Sequence, residues 1–162
     1  MGTKGRDFIE SVARIIPGYR GYSEKETRRD MDRLLRETIA KSIDAAENDL
    51  DAGVATCSQQ GGFEHLEGLE ALRRRATTEA ERLRRAPGGY SGFFDSIQVE
   101  QPALERLHEH DQRLSEHVEA FAAACKVLEN EIDADRIAAA REAMDRIEAH
   151  VSEREDVMKG VN

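Results

Sequence analysis

Glu105-Arg106-Leu107-His108 sets a carboxylate and an imidazole one helical turn apart. Ferritin-like metal bundles use two such E-x-x-H elements, with one Glu from each of two other helices. Glu105 and His108 are therefore the metal-ligand pair to weigh in this chain. No second E-x-x-H element faces them. Ile147-Glu148-Ala149-His150 spaces its pair as E-x-H, and Glu64-His65 are adjacent. His108 follows the apolar Leu107 directly and points off the core axis. Solvated polar positions on a charged helix account for the pair, and the leading reading assigns no metal or cofactor. Nucleophile and phosphate motifs are absent: there is no G-x-S-x-G, Walker loop or dinucleotide fingerprint. Gly88-Gly89-Tyr90-Ser91-Gly92 lacks the Lys and the preceding strand that such loops need.

Asp111 is the stronger anomaly. It occupies a seam otherwise held by Leu107, Leu114, Val118, Phe121, Cys125, Leu128 and Ile132, at spacings that alternate four and three. A buried carboxylate without a partner costs several kcal/mol. Asp111 is expected to find an arginine, a tyrosine hydroxyl or backbone N–H groups, or else to lie near the open end of the bundle, and to act as a structural anchor that sets helix register.

Five of the aromatic residues sit in two glycine-punctuated segments, Gly18-Tyr19-Arg20-Gly21-Tyr22 and Gly88-Gly89-Tyr90-Ser91-Gly92-Phe93-Phe94-Asp95. Arg20, Arg28 and Arg29 flank the first, and Arg84 and Arg85 precede the second. Tyr19, Tyr22, Tyr90, Phe93 and Phe94 read as anchors and these arginines as a polar rim. Aromatic residues and arginine dominate interface energetics. The competing reading makes the rings a lid over the core, with the arginines paired to acidic residues. Ile16-Pro17-Gly18-Tyr19-Arg20-Gly21-Tyr22 and Gly89-Tyr90-Ser91-Gly92-Phe93-Phe94-Asp95 resemble a group of small bacterial helical proteins. These share an I-P-G-Y-x-G-Y opening and a G-Y-x-G-F-F-D corner. The resemblance covers about fourteen residues, implies a bacterial cytoplasmic protein and carries no assigned activity.

The elements that must position these residues are helices. Phe8, Val12, Ile15 and Ile16 predict a short amphipathic helix over 6–16, stopped by Pro17-Gly18. Ser23 and Glu26 form a capping box that opens a second helix. Its stripe is Met31, Leu34, Leu35, Ile39, Ile43, Ala46, Leu50 and Val54. A turn is expected over 58–62. A third helix carries Leu66, Leu69, Leu72, Ala76, Ala80 and Leu83 until Pro87. A fourth starts at Pro102, and Asp133 caps a fifth built on Ile137, Ala140, Met144, Ile147 and Val151. The tail after Asp156 is expected to fray.

Residues 1–162 therefore read as one all-α domain: an antiparallel four-helix bundle with a short extra N-terminal helix. Residues 1–22 hold that helix and the first aromatic loop. Residues 23–86 are the first hairpin, 87–101 the second aromatic loop and 102–158 the second hairpin. Antiparallel pairing of the second and third helices brings both aromatic loops to one pole.

Composition narrows the function. The chain of 162 residues is 35% charged with a net charge of −9, most of it in 99–162. An acidic balance argues against general nucleic-acid binding, which depends on neutralising phosphates. No apolar run is long enough for a membrane span. Cys57 and Cys125 belong to no CxxC pair and fit a reducing, cytoplasmic compartment. The expected role is a non-enzymatic interaction or scaffold module that binds a protein partner through the aromatic and basic pole, or self-associates through an exposed helix stripe. The alternatives are a metal-carboxylate bundle and a protein binding a small anion or nucleotide.

Overall fold

A computed structural model describes Glu10, Ala13, Arg14 and residues 28–86 and 101–159. Four helices account for nearly all of these residues: α1 (Arg28–Gln60), α2 (Phe63–Arg85), α3 (Gln101–Leu128) and α4 (Ala134–Lys159). The protein is an all-α four-helix bundle made of two antiparallel hairpins, α1–α2 and α3–α4. The expected N-terminal helix and the Ser23–Glu26 capping box lie largely outside the described residues. Glu10, Ala13 and Arg14 are helical, and Ala13 packs against the core.

In the four described helices each predicted stripe is buried because helical spacing puts it on one face. Leu35, Ile39, Ile43, Ala46 and Leu50 of α1 meet Leu69, Leu72, Ala76, Ala80 and Leu83 of α2. The second hairpin adds Leu107, Leu114, Val118, Phe121, Cys125 and Leu128, with Ile137, Ala140, Met144, Ile147 and Val151. Met31, Leu34, Val54, Leu66 and Ile132 pack at the edge of this core.

The turns have identifiable chemistry. α1 runs through Ser58 to Gln60, further than expected, and only Gly61 and Gly62 separate it from α2. Gly61 adopts φ 77°, and the Gly62 N–H donates to the Cys57 carbonyl at 3.0 Å. This is a Schellman ending, in which glycine avoids the left-handed penalty on a side chain. Asp133 caps α4 as expected: its Oδ1 accepts from the Arg136 N–H at 2.8 Å. α4 continues to Lys159, past the expected fraying point, because Met158 is buried in the core.

The hairpins stack so that α1 runs alongside α3 in the same direction, and α2 alongside α4. Near the turns, Lys126 reaches Asp49 at 3.4 Å and the Thr56 hydroxyl donates to the Glu129 carbonyl at 3.1 Å. On the other side, Arg75 pairs with Glu148 at 2.9 Å and Arg82 with Glu155 at 3.0 Å. Gly53 lets α1 approach the end of α3, since a Cβ there would lie 2.6 Å from the Leu128 carbonyl oxygen. All four helices thus share one pole where α1 and α3 begin and α2 and α4 end.

Candidate functional site

The shared pole is held by charge buried inside it. Asp32, Asp111 and Arg154 are 4%, 0% and 3% exposed. Each is in phase with its helix's apolar stripe. Asp32 lies three residues before Leu35, and Arg154 falls between Val151 and Met158. The Arg154 guanidinium bridges both carboxylates, with Nε donating to Asp111 Oδ1 at 2.7 Å and Nη2 to Asp32 Oδ1 at 2.8 Å. Arg36 continues the chain, its Nε 3.0 Å from Asp32 Oδ2. Arg36 Nη1 also donates to the Leu83 carbonyl at 3.0 Å and to that of Ala86 at 3.4 Å.

This network does two things. It compensates every charge it buries, since a bridging guanidinium supplies several donors in one plane. It also satisfies carbonyls that the end of α2 leaves without helical partners. All four helices are tied by it: α1 by Asp32 and Arg36, α2 by its terminal carbonyls, α3 by Asp111 and α4 by Arg154. Asp111, which the sequence marked for an arginine, a tyrosine or backbone donors, has an arginine. Asp32 and Arg154 went unremarked in sequence, although both keep the stripe's phase.

A groove of about 430 Å³ opens on this pole between α1 and α2. Arg33, Arg36, Lys41 and Arg84 line it, with Glu37 and Ala86. Arg33 is largely exposed and 3.3 Å from Glu37, a pairing that solvent makes weak. Arg84 is held by Asp44, and Lys41 is exposed. The lining is predominantly basic in a chain whose net charge is −9.

The predicted rim is divided. Arg84 lines the groove, whereas Arg85 turns outward, 2.6 Å from Glu81. Arg29 is exposed and Arg28 is the first residue of α1. Tyr19, Arg20, Tyr22, Tyr90, Phe93 and Phe94 lie outside the described residues. Their segments join the bundle at Arg28 and Ala86, both at this pole. Arg33 and Lys41 were missed in sequence because they lie one to four turns inside the helix and border no aromatic segment. Arg82, which also precedes the second aromatic segment, pairs across the bundle with Glu155, whereas Arg84 and Arg85 pair with Asp44 and Glu81 of their own hairpin.

Metal-ligand geometry forms elsewhere than expected. Among the described residues, no group of three metal-ligand side chains includes Glu105 or His108. Burial pushes the His108 imidazole pKa down, against the pull of Asp111 and Glu105. The side chains that converge are His110, His150 and Glu153, with one ligand atom from each within 4.8 Å of the others. They join α3 to α4, so a search within single helices passes over them.

Cys57 and Cys125 are buried and unpaired. Burial, with a contribution from Asp49, raises the Cys125 thiol to about 12. It is a neutral core side chain rather than a nucleophile. No helix among the described residues is long and apolar enough to cross a membrane. No protein family, curated protein or solved structure matches the chain.

Proposed function

We propose that this protein is a non-enzymatic helical-bundle interaction module of the cytoplasm, docking an acidic segment of a protein partner at the basic pole. The carrying observation is the groove lined by Arg33, Arg36, Lys41 and Arg84 on an otherwise acidic molecule. Cations at such a rim steer an acidic partner and set its orientation, while apolar anchors supply most of the affinity. Tyr19, Tyr22, Tyr90, Phe93 and Phe94 are the proposed anchors. Arg20, Arg28, Arg29 and Arg85 extend the rim. The buried network beneath holds the groove in one shape, which reduces the ordering cost of binding.

The test is selection of random displayed peptides on the full chain. Recovered peptides should be enriched in Asp and Glu and should be released by salt, which screens exposed charges. The double variant Arg33→Glu/Lys41→Glu should bind them about tenfold more weakly or worse, a loss of roughly 1.4 kcal/mol. Both positions are exposed, so the variant should retain the parent's helical circular dichroism. Tyr19→Ala/Phe94→Ala should weaken binding as well. Neutral or basic peptides, or equal binding by the charge-reversed variant, would contradict the proposal. Free phosphate or a nucleotide displacing the peptide at micromolar concentration would favour the small-anion reading instead.

A further inference from the structure

The α3–α4 hairpin carries a second constellation, independent of the docking proposal. His110 and His117 lie two turns apart on α3, and His150 and Glu153 lie one turn apart on α4. Each immediately precedes a core position, respectively Asp111, Val118, Val151 and Arg154. Each therefore flanks the seam rather than entering it. Antiparallel pairing about the turn at 129–133 then brings the two flanks together.

We propose that His110, His150 and Glu153 form a binding site for a divalent transition-metal ion, Zn²⁺ foremost. His110 Nδ1 and His150 Nδ1 lie 3.8 and 3.9 Å from Glu153 Oε2. These separations are too long for hydrogen bonds. They are close to the span of two ligands on one ion, each about 2.0–2.2 Å from the metal. Small side-chain rotations bring the three atoms onto a common centre. The two imidazole side chains are only 19% and 14% exposed. His110 Nδ1, the atom that faces Glu153, is buried and has no hydrogen-bond partner. Buried polar atoms are normally satisfied, and a metal satisfies an imidazole nitrogen without a proton.

The surroundings suit this use. His117 packs edge-on against His150, with ring centroids 4.7 Å apart and planes at 77°. That contact positions the His150 ring. Glu153 is 56% exposed and gives the site a solvent side through which an ion enters. Two nitrogens and one carboxylate oxygen favour Zn²⁺, Co²⁺ or Ni²⁺ over Mg²⁺ and Ca²⁺, which take oxygen ligands. Three protein ligands leave a coordination position open to water. A bound ion would clamp α3 to α4 beside Asp111 and Arg154, at the same pole.

The experiment is titration of the chelator-stripped full chain with ZnCl₂, followed by calorimetry, by melting temperature and by the visible bands of Co²⁺. One equivalent should bind, the melting temperature should rise with Zn²⁺ concentration, and MgCl₂ and CaCl₂ should leave it unchanged. Glu153→Gln and His110→Gln should each weaken Zn²⁺ binding by at least about tenfold, while His65→Gln on α2 should not. Glu153 is exposed, so its variant tests the site without disturbing the core. Absence of one-equivalent binding at 100-fold molar excess, or binding that survives both ligand substitutions, would overturn the proposal. Equal stabilisation by Mg²⁺ would do the same.

Discussion

At the scale of single residues, stability at the pole depends on whether each buried charge has its counter-charge. Arg154 serves two carboxylates at once, so its removal takes the ion pair from Asp111 and leaves Asp32 to Arg36. Arg154→Met is expected to cost about 3–5 kcal/mol in urea unfolding, the usual loss when one partner of a buried pair is removed. Asp111→Asn keeps a hydrogen-bond acceptor beside Arg154 and should unfold well above Arg154→Met. Equal losses, or a loss below about 1 kcal/mol for Arg154→Met, would mean that solvent already screens the network. Glu79 is the opposite case. It is 4% exposed, its Oε1 accepts no hydrogen bond, and the nearest cation is Arg82 Nη1 at 3.5 Å. Burial pushes its carboxyl pKa up; Arg82 opposes this, and Glu148 and Glu155 reinforce it. A raised pKa means that the folded protein holds the proton more tightly than the unfolded chain. Stability tied to Glu79 is therefore full below the ordinary carboxylate range and is lost as pH rises through the raised value. Glu79→Gln should raise the melting temperature at pH 7 by about 2–4 °C. The gain should shrink toward pH 4. A gain that grew on acidification would contradict that sign.

At the scale of elements, Gly53 is expected to matter more than helix propensity suggests. Alanine normally stabilises a helix interior relative to glycine by about 1 kcal/mol. Here the added methyl would lie 2.6 Å from the Leu128 backbone oxygen, which no side-chain rotation can relieve. Forcing the helices apart costs about 1–3 kcal/mol. Gly53→Ala should therefore lower the melting temperature, and a rise would show that α1 and α3 are not in close contact there. The elements themselves were legible from periodicity, because Leu35 to Leu50 and Leu107 to Leu128 repeat with the period of one helix face. The Asp133 cap was legible because capping is local. Less visible was anything that depends on two helices at once. Asp32 and Arg154 stand near helix ends, where a charge reads as solvated until four ends are known to converge. His110 and His150 are 40 positions apart in the chain. They form no motif until the hairpin folds about its turn. Gly53 likewise gives no sign in sequence of the carbonyl that excludes a larger side chain.

At the scale of the whole molecule, the parallel alignment of α1 with α3 and of α2 with α4 collects the candidate site features at one end. The buried network, the basic groove and the histidine cluster all lie there, and both aromatic segments join the bundle there. The opposite end carries the two short turns. Net negative charge elsewhere would disfavour docking of an acidic segment away from this pole. Docking at this pole is thus a matter of place as much as of chemistry. Its most direct test is nuclear magnetic resonance mapping of the backbone amides while a selected acidic peptide is added to the isotope-labelled full chain. The largest shift changes should fall on residues 33–41 and 84–86, and the Arg33→Glu/Lys41→Glu variant should lose them. Changes centred on the turns at 61–62 and 129–133, or unaltered by the charge reversal, would contradict docking at the basic pole.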